Sequence, residues 1–276
     1  MTDSVGIKQR LKKHLEEAIA TSAYISQENA DTAFFIIAVN GSHNYNLATK
    51  NSDIDSKLLL IPNLDNLIWN QSANYLHVMS DNGEHVEVKD IRHYMATILK
   101  QNINFVETLF AKALWCNGRY EHEWAALVSM RESIARYNPV AAIDCMLGMA
   151  RQKQIQMTKI SESRAENIKK FGYDTKSFHH CMRLLFFAED YMRGKPYEEC
   201  LTRGDNDILT NWLIKAKTGE LGFSLEKAND CINRMMANVE PQVDYFKNRM
   251  GNMADGAIEK TIDDIVTKII KRSIGA

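Results

Sequence analysis

Strand-type patterning is confined to the first third of this 276-residue chain, and helical periodicity fills the rest. AFFIIAVN (residues 33–40) is a short apolar run that reads as a buried strand and leads straight into Gly41-Ser42. DIDSKLLLI (53–61) starts by alternating polar and apolar residues and ends apolar before Pro62, the pattern of a half-buried strand entering a core. YLHVMS and HVEVKDI flank Asp81-Asn82-Gly83-Glu84. Asn-Gly between two alternating runs predicts a hairpin closed by a type I′ turn. Strand signals stop near residue 91.

Helices account for the remainder. Ile7, Leu11, Leu15 and Ile19 recur every four residues and predict an amphipathic opening helix over 7–22. Residues 91–114 read as one or two helices around Asn102-Ile103-Asn104. Asn138-Pro139 opens a long helix running to about Lys170, with Pro139 in its first turn and Gly172 as its stop. Asp174 or Thr175 caps the next helix, where Phe178, Cys181, Met182, Leu185, Ala188 and Met192 form an apolar stripe. Further helices are expected over about 206–218, 224–249 and 254–272. The predicted class is therefore α+β: a small mixed-sheet domain over 1–115, followed by an all-helical domain over 116–276.

Composition narrows the function classes. With 34 basic and 35 acidic residues, the composition argues against a globally basic nucleic-acid coat protein, while a local basic groove stays open. The five cysteines are odd in number, scattered and without a CxxC pair. That argues for reduced thiols and against a disulfide scaffold or structural zinc site. No stretch approaches the roughly 18 apolar residues of a membrane span, and the first residues lack the apolar core of a signal peptide. A cytoplasmic protein is expected.

The chemistry concentrates in VNGSHNYNLATKNSDIDSKLLLI, residues 39–61. Gly41 after a strand lets backbone approach a ligand closely, and Ser42 adds a hydroxyl and an amide for a phosphate. Residues two apart on a strand point the same way, so Asp53 and Asp55 direct two carboxylates to one face. Two hard oxygen ligands side by side suit Mg²⁺ or Mn²⁺, completed by substrate phosphates and water. A third acid is expected from the hairpin. Glu87 alternates with Val86 and Val88 on the polar face and is favoured; Asp90, of opposite parity, is the alternative. A lone Asp-x-Asp is more often a solvated turn. The combination of strand, Gly-Ser, Asp-x-Asp and hairpin acid carries the signal.

These residues resemble the Gly-Ser…Asp-x-Asp signature of the DNA polymerase β-like nucleotidyltransferase superfamily. More narrowly, GSHNYNLATKNSDIDSKLLLIP is similar to a bacterial and phage nucleotidyltransferase group with a GS-x-x-YG-L…SDxD signature. DIRHYMATILKQNINFVETLF and FGYDTKSFHHCMRLL resemble two further segments of that group, extending the likeness over about 36–194. The resemblance implies Gly41 and Ser42 gripping a triphosphate, with Asp53, Asp55 and Glu87 as catalytic metal ligands. Asn46 departs from the group, which commonly has Gly there; Asn tolerates left-handed backbone better than most residues.

Supporting residues carry two readings each. Lys176, His179 and Arg183 share a helix face, with His180 beside them. That face either closes over the triphosphate, led by Lys176, or is a polar face opposite the apolar stripe. Lys57, on the strand face of the acids, either meets phosphate or pairs with an acid. Arg151, Gln152, Lys153 and Gln154 read mainly as exposed. The expected activity is Mg²⁺-dependent transfer of a nucleoside monophosphate, with ATP the expected donor. The acceptor would be an RNA 3′ end such as that of tRNA, a protein side chain or a small molecule. The alternative is a non-catalytic nucleotide- or RNA-binding module on the same fold. Oligomeric state and the role of residues 200–276 stay open.

Overall fold

The computed structural model describes residues 4–22, 24, 33–50, 52–73, 76–202, 204, 207–251 and 254–275. Tyr75 and Asn206, expected to begin a strand and a helix, lie outside the described residues. The chain is a mixed α+β protein with one five-stranded mixed sheet and many helices. It divides into two compact units. One comprises Met1–Asn44, Asn51–Tyr137 and Ala254–Ala276; the other comprises Tyr45–Lys50 and Asn138–Met253.

The sheet of the first unit contains β1 (Phe34–Asn40), β2 (Asp55–Leu60), β3 (Leu76–Met79), β4 (His85–Asp90) and β5 (Leu114–Cys116), in the order β3-β4-β2-β1-β5. β2 and β4 run parallel, and every other neighbouring pair is antiparallel. One face packs Ile37, Val39, Leu58, Leu60, Val86 and Val88 against Ile7 and Leu11 of α1 (Ser4–Thr21). Fully burying each such Leu or Ile contributes about 1.5–3 kcal/mol, so the four-residue spacing in α1 docks that helix. The opposite face carries Lys57, Glu87 and Lys89.

The hairpin forms, with a different turn. Ser80 N–H donates to the Glu84 carbonyl, and Gly83 N–H to the Ser80 carbonyl. Gly83 takes φ 76° while Asn82 stays out of the left-handed region. The connection is thus a three-residue loop, Asp81-Asn82-Gly83, with the left-handed residue last. β5 was not expected: at three residues with Trp115 exposed, it is too short to show alternation.

α2 (Leu64–Ile68) follows β2, α3 (Ile91–Leu99) and α4 (Ile103–Val106) follow β4, and α5 (Glu121–Ser129) and α6 (Arg131–Ala135) follow β5. α13 (Gly256–Ser273) also belongs to this unit. Its Lys268 and Arg272 reach the buried Glu123 carboxylate of α5 at 3.0 and 3.1 Å. Apart from segment Tyr45–Lys50, the compact units change over near 137 and 254, where the sequence reading places one boundary at 115.

The second unit is helical: α7 (Pro139–Gln156), α8 (Glu162–Phe171), α9 (Thr175–Met192), α10 (Tyr197–Leu201), α11 (Ile208–Thr218) and α12 (Leu225–Met250). α9 is its centre, packing against α7, α11 and α12. Asp174 caps α9 by accepting from Ser177 N–H, and Gly172 closes α8 at φ 81°. The single helix expected from Pro139 to Lys170 is two. The Met157 carbonyl accepts from Asp174 N–H, and the β-branched Thr158 and Ile160 precede Ser161, the first residue before α8.

Candidate functional site

The pairing of β1 with β2 creates the site. Asn40, the last residue of β1, lies opposite Asp55, the first of β2. The 3₁₀ turn Gly41–His43 therefore starts beside the Asp55 carboxylate. Gly41 has φ 69°, and a Cβ there would lie 3.2 Å from Asp55 Oδ2. Left-handed backbone and close approach both demand glycine here. Ser42 is half-buried in the same turn.

Two residues that sequence reading passed over hold this turn. His43 Nε2 donates to the Ser52 carbonyl at 3.3 Å, linking the Gly-Ser turn to the residue before Asp53. Asn44, fully buried, accepts from Lys112 N–H and donates to the Glu107 carbonyl. No motif reveals either contact: Ser52 lies nine residues beyond His43, and Lys112 and Glu107 lie 68 and 63 residues beyond Asn44.

Asp53 is exposed and precedes β2, so strand parity alone does not orient it. Ile54 is buried and Asp55 half-buried, so the alternation nevertheless persists through the segment. Lys57 pairs with Glu87 across β2 and β4, which places Asp55, Lys57 and Glu87 on one face of the sheet.

Lys57 is completely buried. Its ammonium lies 3.3 Å from Glu87, 2.5 Å from the Asn104 carbonyl that it donates to, and 4.0 Å above the Phe105 ring. Burial pulls its pKa below the ordinary value, opposed by the Glu87 and Glu107 carboxylates. Of its two expected roles, acid pairing is the one this geometry provides. Glu87 is also 3.4 Å from Lys89. Burial alone would raise the Glu87 carboxyl, but Lys57 and Lys89 outweigh it and hold it below the usual carboxylate range.

Asp90 is otherwise engaged. Fully buried, it caps α3 through Arg92 N–H, takes the Arg92 guanidinium at 2.6 Å and accepts from Tyr24 Oη at 2.6 Å. The alternative third acid is thus an anchor within the fold.

Among the described residues, no three His, Cys, Asp or Glu side chains form a metal cage. Mg²⁺ commonly takes only one or two carboxylates and completes its shell with phosphate oxygens and water. Asp53 and Asp55, one exposed and one half-buried, fit that requirement in donor chemistry.

The helical unit treats its expected cations unequally. Lys176 is exposed in the first turn of α9. His179 and Arg183 are buried, so the shared polar face is largely internal to this unit. His179 Nδ1 donates to the Leu213 carbonyl at 2.8 Å. The Arg183 guanidinium lies 3.9 Å from the Tyr45 ring centroid, with Nε and Nη1 buried and without a hydrogen-bond partner. Lys217, unforeseen from sequence, donates to the Leu47 carbonyl at 3.2 Å. Arg183 and Lys217 thereby bind segment 45–50, where Asn46 adopts φ 63°. Lys153 is half-buried and lowered by burial; Arg151 pairs with Glu240.

Replacing Gly41 with alanine is expected to cost roughly 1–2 kcal/mol in left-handed strain and to push Asp55 aside. Gly83→Ala, at φ 76° with open space around its Cβ position, is the control. Both variants should melt at lower temperature, but only Gly41→Ala should lose ligand binding or activity at this site. Equal loss of function would remove the special role of the Gly41–Asp55 approach. Compared with known families and curated proteins, the chain matches no family model and no curated sequence significantly.

Proposed function

We propose that the sheet unit is a nucleotidyltransferase domain, accompanied by a helical domain. It moves a nucleoside monophosphate from a nucleoside triphosphate, ATP foremost, to an acceptor hydroxyl. The observation that carries this reading is the close approach of Gly41 to Asp55, which joins a phosphate-type turn to a metal-type carboxylate.

In this reading Gly41 and Ser42 offer amide and hydroxyl donors to the β- and γ-phosphates. Asp53 and Asp55 would hold Mg²⁺ or Mn²⁺, which when bound activates the attacking hydroxyl and neutralises charge on the leaving group. The acceptor hydroxyl gives its proton to water as its oxygen forms a bond to the α-phosphorus, the bond from that phosphorus to its bridging oxygen breaks, and pyrophosphate leaves with the electron pair. Glu87, kept ionised by Lys57 and Lys89, is suited to orient the acceptor hydroxyl by accepting its hydrogen bond. Its depressed pKa makes it a weak proton acceptor, so positioning is its contribution. The acceptor classes are an RNA 3′ end such as that of tRNA, a protein side chain or a small metabolite. An RNA acceptor requires a local basic groove, because the net charge is near zero.

The test is incubation with each labelled nucleoside triphosphate, Mg²⁺ or Mn²⁺, and cellular RNA, protein or metabolites. Label transfer is expected for the wild type. It should fall by on the order of 10³-fold in Asp53→Ala/Asp55→Ala, since a single charge-stabilising group is worth about 10²–10³-fold. Equal labelling by both proteins, or none by either, would overturn the proposal. Nucleotide binding without transfer would instead leave a binding module on this fold.

A further inference from the structure

Behind the acids, on the α1 side of the sheet, lies a buried polar network that the proposed chemistry has not yet used. Glu84 is 2% exposed, and its Oε1 accepts the Ile54 backbone N–H at 2.6 Å. Ile54 is the residue between Asp53 and Asp55. Arg10 reaches the same Oε1 at 2.5 Å, and His14 Nε2 meets Oε2 at 3.0 Å. The other ring nitrogen of His14, Nδ1, lies 2.9 Å from Ser56 Oγ. Ser56 directly follows Asp55. Ser80 Oγ accepts Glu84 N–H at 3.1 Å and fixes the carboxylate's own backbone. His14, Ser56 and Ser80 are all buried.

Two residues of the Asp-Ile-Asp-Ser segment are therefore gripped from behind by one carboxylate–imidazole pair, drawn from α1 and the β3–β4 loop. The placement answers a specific need. Ladder pairing of β2 begins only at Asp55, so residues 52–54 have no strand neighbour to fix them. Within that stretch, His43 holds the Ser52 carbonyl and Glu84 holds the Ile54 amide. A network serving only to dock α1 has no reason to fasten this amide: the Ile7 and Leu11 contacts already dock the helix, and buried charge is costly even when paired.

We infer that Glu84, with His14 behind it, is a positioning residue that sets the spacing of the Asp53 and Asp55 carboxylates for a divalent cation. The inference rests on the nucleotidyl-transfer reading. Residues that orient metal ligands from behind typically govern affinity by 10–100-fold.

Mn²⁺ binding to the full chain, followed by the electron paramagnetic resonance signal of the free ion, separates the outcomes. Wild-type binding should disappear in Asp53→Ala/Asp55→Ala. Glu84→Ala should weaken it by about 10–100-fold. Glu84→Gln, which keeps an acceptor for the Ile54 amide, should recover most of the affinity. Arg10→Ala removes one partner of Glu84 but leaves the Ile54 bond, so it should lower thermal stability with Mn²⁺ affinity near wild type. Should Glu84→Ala not fold, Glu84→Asp carries the same test. It stays charged for Arg10 but is one methylene too short to hold Ile54.

Unchanged Mn²⁺ affinity in folded Glu84→Ala or Glu84→Asp overturns the positioning role and leaves the nucleotidyl-transfer reading intact. Wild-type Mn²⁺ binding that is absent, or indifferent to Asp53 and Asp55, overturns that reading and the inference with it.

Discussion

Replacing Lys57 with methionine should destabilise the sheet unit by about 3 kcal/mol, the lower end of what breaking a buried ion pair costs. Methionine keeps an unbranched apolar stem of similar length and removes the ammonium that lies over Phe105, so the loss is electrostatic rather than a cavity effect. Three groups lose their counterpart at once. Glu87 retains Lys89, the Asn104 carbonyl loses the Lys57 donor, and the buried Glu107 loses a compensating charge. The 24% exposure of the Glu87 side chain lets solvent recover part of this, which sets the figure at the lower end. Lys57→Met/Glu87→Gln should be more stable than the sum of its single changes, because it removes one carboxylate together with its partner. Urea unfolding of the four proteins measures both quantities. A Lys57→Met loss under about 1 kcal/mol, as for an exposed pair, would mean that the ammonium is not the organising charge of this face.

Lys57 also shows what a sequence can and cannot disclose. Its face was legible: two residues beyond Asp55, it had to share a side with the acids. Its burial was not, because Phe105 and Asn104 come from a helix some fifty residues away. Asp90 is the opposite case. An acid directly before a helical run is a capping signal, and Asp90-Ile91-Arg92 contains it. Reading it would have given Asp90 its capping role at once. The turn of the hairpin depended on a ladder bond between Ser80 and Glu84 that the Asn-Gly pair does not encode. Glu84 could not be singled out as the holder of Ile54, because α1, β2 and the hairpin must fold together first. Likewise, α13 joins the sheet unit through Glu123, more than a hundred residues before it. Local pattern located the acids, and long-range packing supplied what holds them.

Acidification should weaken the helical unit well before it affects the carboxylates of the sheet. His179 is buried, and its Nδ1–H donates to the Leu213 carbonyl. Burial pushes its pKa down to about 3, against the Leu213 bond, with Arg183, Lys217 and Lys176 pushing the same way as burial. The unfolded chain binds this proton near 6.5 and the folded chain does not, so the histidine's contribution is complete above pH 6.5 and declines as pH falls towards 3. At about 1.36 kcal/mol per pH unit, His179 alone removes about 2 kcal/mol between neutrality and pH 5. His180 lies against it with ring centroids 5.1 Å apart and is held well below its ordinary value by burial, then by His179 and Arg183, so it adds in the same direction. Glu84 and Glu87 are depressed below 4.5, and their contributions begin to fade only under that value. The window between pH 6.5 and 4.5 therefore isolates the histidines. Thermal unfolding should shift down by at least roughly 5 °C between pH 7 and pH 5, taking 2–4 °C per kcal/mol for a chain of this size. His179→Gln should flatten that slope by about 2 kcal/mol over the same interval, while Glu84→Gln leaves it unchanged. A melting temperature constant from pH 7 to pH 5 would show that these imidazoles can take up protons in the folded protein.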